Sequence, residues 1–417
     1  MDTLPYGTPP QWWPPRLSPF WIQALRIVRL LRQRNREHLV GLRLGGLRHL
    51  RASLTAGQGI VIIAKHASTA DPFILLGAGD RIGRPFSFMV AWQVFQLLGP
   101  VGRWVLQRHG CFSVDRDGTD MRAFRQAVEV VCRGVHPLVI FPEGDIFHNS
   151  DWVFPFRTGA AAVARAAARR GPRPVVCIPA ALRIEYVGDP TPELRPLMTA
   201  LEGKLLGQAR PEWPLASRVQ HFADRLLAHW EAMYGGGPRH GPLAERALLL
   251  ADAILAPLED RYGRSAEAND VPARVWALRQ EAVARLERLP PGDAGGKSAR
   301  HDLEQLFAAE QAFSYCRDDP RGEPSVERLA EMLDKFEEDV LGAAIATVRG
   351  KRRGLILFGE PITVAPGGRD KKEARALTDT LETALQRVVT RLADRTRGAA
   401  RAHGFAARGK TPGEGDG

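Results

Sequence analysis

Between residues 59 and 184 short apolar runs alternate with segments of helical periodicity. The runs are IVIIA (60–64), PFSFMVA (85–91), CFSV (111–114), LVIFP (138–142) and VVCIPAALRI (175–184). Strands separated by helices predict an α/β domain with a mixed, largely parallel sheet flanked by helices. MRAFRQAVEVVC (121–132) places Met121, Phe124, Val128 and Val131 on one helical face, and the alanine-rich TGAAAVARAAARR (158–170) predicts a helix opened by Thr158 and Gly159. Residues 92–108 are rich in Trp, Phe, Leu and Val but broken by Gly99-Pro100 and Arg103.

From residue 189 the period changes. Helical stretches near 215–233, 242–263, 272–289, 299–316 and 325–343 are separated by GGGP (235–238) and PPGDAGG (290–296), which predicts an all-helical insertion over 189–349. GLILFGEPITV (354–364) returns to strand character and a helix near 371–394 follows. The α/β domain therefore spans 40–188 and 350–395, and the Gly/Arg-rich tail, 396–417, is expected to be disordered. No internal repeat is visible. The first 39 residues hold FWIQALRIVRLLRQRNR (20–36), with Trp21, Leu25, Val28 and Leu31 at helical spacing and Arg26, Arg29, Arg32 and Arg36 over much of the remainder. This basic amphipathic helix has two readings: it lies among lipid headgroups, aided by Trp12 and Trp13, or its apolar stripe packs on the domain.

Composition narrows the partners. With 417 residues, 44% of them hydrophobic, the chain can bury sizeable cores, and a formal charge of +11 points to an anionic surface or ligand. Fifty of the 58 basic residues are Arg and eight are Lys, an imbalance that genomic base composition also produces, so the charge carries limited weight. Cys111, Cys132, Cys177 and Cys316 are too widely spaced for a zinc or disulfide framework and fit a reducing setting. No apolar stretch reaches the roughly 18 residues of a spanning helix, and the N-terminus lacks a basic-then-apolar leader. A protein neither spanning the membrane nor exported is expected.

Three segments carry candidate chemistry. KHASTADPF (65–73) follows the first strand, and His66 and Asp71, five apart, would stand roughly 140° apart on a regular helix; across a strand-to-helix turn they can meet. Asp71 would then fix the imidazole tautomer while the other nitrogen takes a proton, a general-base dyad; the alternative is a turn histidine beside a capping aspartate. GCFSVDRDGTD (110–120) ends a strand at Arg116, suited to a phosphate at a sheet edge or to pairing with Asp115 or Asp117. LVIFPEGDIF (138–147) delivers Pro142, Glu143 and the permissive Gly144 to the same edge.

Taken in order, with the proline-bearing strand VCIPA (176–180) as a fourth block, these segments resemble the glycerolipid acyltransferase family. The blocks are H-x-x-x-x-D (His66 to Asp71), F-x-x-x-R (Phe112 to Arg116), F-P-E-G (Phe141 to Gly144) and Pro179. The resemblance implies that His66 deprotonates an acceptor hydroxyl and Asp71 orients it, that Phe112, Arg116, Pro142, Glu143, Gly144 and Pro179 serve the substrate site, and that no metal or cofactor takes part. It further implies an acyl-CoA or acyl-carrier-protein donor, a lysophospholipid acceptor such as 1-acyl-glycerol-3-phosphate, and peripheral attachment to an anionic membrane surface on its cytoplasmic face, with no nucleic acid involved. Residues 92–108 would then be either core or an acyl-chain groove. Two departures bear on the acceptor: Lys65 replaces the usual Asn before the histidine, and Asp145-Ile146 replaces the usual Thr-Arg. Another lyso-lipid, for example an aminolipid, is the alternative acceptor. Rival readings are a non-catalytic basic membrane- or nucleic-acid-binding protein, and a metal-dependent hydrolase using His66, Asp71 and His109 or His148.

Overall fold

The computed structural model describes residues 10–116, 118–264, 270–290, 293–315, 324–366 and 370–408. Cys316, Asp117 and residues 409–417 lie outside them. Two short helices, α1 (Pro19–Ala24) and α2 (Arg26–Asn35), precede β1 (Leu39–Gly45) and α3 (Leu47–Thr55). The chain continues through β2 (Gly59–Ala64), α4 (Asp71–Ile82), β3 (Ser87–Ala91), α5 (Trp92–Leu97), α6 (Gly99–Arg108), β4 (Cys111–Val114), α7 (Met121–Arg133), β5 (Leu138–Ile140), α8 (Gly159–Arg170) and β6 (Val175–Tyr186). Then come α9 (Thr191–Leu206), α10 (Leu215–Tyr234), α11 (Leu243–Tyr262), α12 (Val271–Arg288), α13 (Ala294–Ser314) and α14 (Val326–Leu341). β7 (Arg352–Phe358), β8 (Ile362–Val364) and α15 (Lys371–Arg408) follow.

The strands form one mixed sheet in the order β1-β7-β6-β2-β5-β3-β4, with β8 also beside β6. Only β6–β7 and β6–β8 are antiparallel, so the expected α/β architecture with a mostly parallel sheet holds. β2 lies at the centre because all six residues of GIVIIA are buried, which only a strand covered on both faces allows. β2, β5, β3 and β4 run in one direction. The loops after β2, β4 and β5 therefore open on one sheet edge, and these are the three loops carrying His66, Arg116 and Glu143.

Pro179 is tolerated in the second central strand because its carbonyl accepts from Gly359 N, at 2.8 Å, on the side where β7 gives way to β8. A residue's N–H and C=O point the same way in a strand, so the missing donor falls in that break and costs no bond to β2. One face of the sheet is covered by α7, α8 and α15 and the other by α3, α4 and the α5–α6 pair, each over its own apolar cluster.

The insertion has a separate core from α9 to α14, joined by Phe147 and Phe154 of the domain. Its successive joints repeat one device that the sequence pattern did not disclose. Arg218 forks onto Glu202 (3.1 and 2.7 Å), Arg246 onto Glu231 (3.0 and 2.7 Å) and Arg274 onto Glu259 (2.7 and 2.8 Å). Each links the later part of one helix to the first turn of the next. Paired guanidinium–carboxylate geometry fixes orientation as well as distance, which makes α9 to α12 a rigid series.

Several boundaries differ from the sequence reading. β1 is not among the expected strands, since LVGLRLG is an edge strand interrupted by Gly41 and Arg43, and α9 is not among the expected helical stretches, since Pro192 and Pro196 interrupt the helical pattern. α15 continues to Arg408, beyond residue 395 where the disordered tail was expected to begin. The N-terminal helix is broken at Leu25, and its orientation is inverted relative to a core-packed helix. Arg29 is only 8% exposed and bonds Asp80 at 2.6 Å, and Gln33 reaches Phe73 O. Phe20 and Ile27, by contrast, are 70% and 71% exposed, with Val28, Leu30 and Leu31 also outward. The apolar stripe is largely outward, with Trp21 packed edge-on against Trp104, ring centres 4.9 Å apart, and Leu25 partly covered.

Candidate active site

The turn after β2 brings His66 and Asp71 together without a regular helix between them. Asp71 opens α4, followed by Pro72, whose fixed φ suits a first helical turn. The Asp71 side chain folds back over residues 66–68. Its Oδ2 accepts from Ala67 N (2.8 Å) and Ser68 N (2.9 Å) and lies 3.0 Å from His66 Nδ1. A carboxylate can only accept here, so Nδ1 carries the proton and Nε2 is the basic nitrogen. The imidazole stacks on Phe141, ring centres 4.0 Å apart, which fixes its plane.

Beneath the turn lies a second pair. Lys65 Nζ and Glu143 Oε2 are 2.6 Å apart, and both side chains are 0% exposed. Glu143 also accepts from His66 N (3.3 Å) and Phe154 N (3.1 Å), and the Lys65 ammonium sits 5.4 Å above the Phe154 ring. Burial pushes the Glu143 carboxyl above its usual range, and Lys65 opposes that shift. Glu143, expected at the substrate, has its oxygens bonded within the protein and holds the histidine-bearing turn. Lys65, singled out in the sequence only as a departure, is its counter-charge.

A cavity of about 1230 Å³ runs along this edge, lined by His66, Phe141, Pro142, Gly144 and Arg116 among others. It exceeds the ~300–1,000 Å³ usual for small-molecule sites, leaving room for two substrates. Val94 and Leu98 from the α5 end, Val101 and Val105 from α6, and Leu25 and Val28 of the N-terminal helices give it an apolar wall. Residues 92–108 thus line a groove as well as filling core. Arg116 donates to Gly144 O (2.8 Å) and stands 3.7 Å from Asp145, while Arg157 donates to Arg116 O (2.9 Å). Gly144 has φ +81°, and a Cβ there would collide with the Arg157 guanidinium, so this turn requires glycine. Phe112 and Pro179 do not line the cavity; both are buried, Phe112 in the core and Pro179 in β6. Apolar bulk and strand geometry put these two residues, expected to serve the substrate site, behind it.

The thiol chemistry is quiet. Cys111 borders the cavity, but burial pushes its thiol up to about 12, as it does Cys177, so neither supplies a thiolate near neutral pH. Among the described residues no three His, Cys, Asp or Glu side chains are arranged to hold a metal ion. His109 Nδ1 is held by Val105 O and His148 by Glu338, so neither completes a ligand set with the dyad.

The insertion reaches the site from two sides. α14 grips the segment after β5, with Arg328 donating to His148 O, Ser150 N to Glu331, and Glu338 bonding His148. Pro272, Ala273 and Trp276 of α12 line the cavity directly, and Trp276 Nε1 donates to Arg116 O at 3.2 Å.

Among the described residues no helix is long and apolar enough to cross a membrane. Residues 42–183 match the family model described as Acyltransferase, that of the glycerolipid acyltransferases. No curated protein matches the chain.

Proposed function

We propose, because residues 42–183 match the family model described as Acyltransferase, that the protein moves a long acyl group from a thioester donor, acyl-CoA or acyl-carrier protein, to the hydroxyl of a lysophospholipid. The observation carrying this reading is the His66–Asp71 pair, tautomer fixed, on the wall of an apolar cavity large enough for two substrates. His66 Nε2 takes the hydroxyl proton as the oxygen attacks the thioester carbonyl. The new C–O bond forms, the C–S bond breaks, and the proton passes to the departing thiolate. Asp71 stabilises the imidazolium between those events. Each atom is accounted for without an acyl-enzyme, consistent with the high-pKa cysteines. Arg116 is the cation nearest the acceptor's phosphate. The test is purified protein with acyl-CoA or acyl-carrier protein and a panel of lysolipids, following free thiol; release that does not depend on an acceptor would overturn the reading.

The same proposal places the protein on a membrane. A helix that turns Arg29 and Gln33 inward and Phe20, Ile27 and Leu31 outward has its apolar face available to the acyl boundary, with Arg26, Arg32 and Arg36 near phosphates. Val101, 76% exposed on α6, extends that face to the cavity's apolar wall, giving lipid chains a dry route in. Replacing Phe20, Ile27 and Leu31 together by Ser is expected to weaken co-sedimentation with anionic vesicles at least ~10-fold and to leave thermal stability unchanged, since these side chains bury little on the domain. Unchanged sedimentation would sink the membrane assignment.

A further inference from the structure

We infer that helix α12 of the insertion builds the acceptor headgroup subsite, and that Trp276 and Asp270 select an acceptor carrying a cationic ammonium group as well as an anion. The inference rests on the acyl-transfer reading above and adds the acceptor class to it. The insertion lies outside the matched domain, yet Pro272, Ala273 and Trp276 form part of the cavity wall. Their position is fixed, because Arg274 of the same turn forks onto Glu259 of α11 and also bonds Asp252 at 2.7 Å. The indole N–H is spent on Arg116 O, which ties the ring to the backbone of the residue proposed above for the acceptor's phosphate.

The charges around that ring decide what it accepts. Arg116, Arg157 and Arg375 line this part of the cavity together with Asp115, Asp145 and Asp270, and Asp120 is a further carboxylate used in capping α7. Cations are therefore matched by carboxylates. A phosphomonoester, with close to two negative charges, needs an excess of cations, and a zwitterion does not. Asp270 sits at the N-cap of α12, where Ala273 N draws on its carboxylate without closing a full cap bond; its Oδ1 is buried without a closer partner and its Oδ2 is 4.0 Å from Arg375. Burial raises this carboxyl, and Ala273 N and Arg375 oppose that shift. Asp270 and Trp276 line the same cavity, and a carboxylate and an aromatic face on one wall are the chemistry that receives an ammonium group. Asp145 stands where the family pattern has a hydroxyl, adding a carboxylate on the same side.

The experiment measures kcat/KM by thiol release with the full chain and three acceptors. Lysophosphatidylethanolamine carries phosphodiester and ammonium, lysophosphatidylglycerol the phosphodiester alone, and lysophosphatidate a phosphomonoester. The wild type is expected to favour the first at least ~10-fold over each of the others. Trp276→Ala and Asp270→Asn are each expected to remove that preference, lowering the first value at least ~10-fold more than either of the other two. Preference for lysophosphatidate or lysophosphatidylglycerol, or an equal loss on all three acceptors in both variants, would overturn the inference and leave acyl transfer standing. Thiol release with none of the three would overturn acyl transfer and the inference with it.

Discussion

His66→Ala is expected to lower acceptor-dependent thiol release by about 10³-fold or more, with the thermal transition and vesicle binding unchanged. General-base transfer contributes about 10²–10⁴-fold, and nothing else described around the cavity replaces it, since Cys111 is held protonated and His109 is bonded to Val105 O. The side chain is half-buried and its Nδ1 bond is to a carboxylate that keeps two backbone donors when the ring is removed. Folding should therefore survive. Asp71→Asn is expected to lose about 10²-fold or more for a different reason. One amide oxygen can still accept from Ala67 and Ser68, but the charge that stabilises the imidazolium is gone. If His66→Ala retains most of the wild-type rate on any accepted lysolipid, the base is another group and the mechanism is wrong.

The division between what the sequence disclosed and what it hid follows from the physics of each signal. Continuous apolar runs such as IVIIA and VVCIPAALRI announced the central strands, because burial on both faces leaves no alternative reading. β1 was missed because an edge strand half-exposed along its length has no such run. His66 and Asp71 were found through the order of blocks around them, and the structure supplies what spacing lacked: a turn in which Oδ2 gathers three donors. Glu143 was expected at the substrate through the resemblance alone, because Phe141 to Gly144 match the F-P-E-G block. Its depth depended on Lys65 and Phe154, 78 and 11 residues away, and no local pattern carries that information. The clue was present in Lys65 itself, a lysine beginning a turn directly after a wholly buried strand. The insertion's contribution to the cavity was likewise illegible, since Trp276 meets Arg116 across 160 residues.

Lys65→Met is the second large effect expected, and it separates support of the turn from catalysis itself. Removing one partner of a fully buried ion pair costs about 3–5 kcal/mol, because Glu143 is left charged in an apolar setting. The cost depends on pH. Burial already raises the Glu143 carboxyl, and losing Lys65 raises it further. A carboxyl with a higher pKa folded than unfolded takes up a proton on folding, so stability falls as pH rises from about 4.3, the unfolded value, through the folded one. The variant should then be less destabilised at pH 5 than at pH 8, measured by denaturant midpoint against wild type. Adding Glu143→Met removes the stranded charge and is expected to recover part of the stability at pH 8. It also leaves His66 N and Phe154 N without their acceptor, so the rate should stay at least ~10-fold below wild type even where the protein is folded. A double variant as active as wild type would show that the pair supports the fold alone; a Lys65→Met protein as stable as wild type at pH 8 would show that Glu143 is satisfied without its lysine.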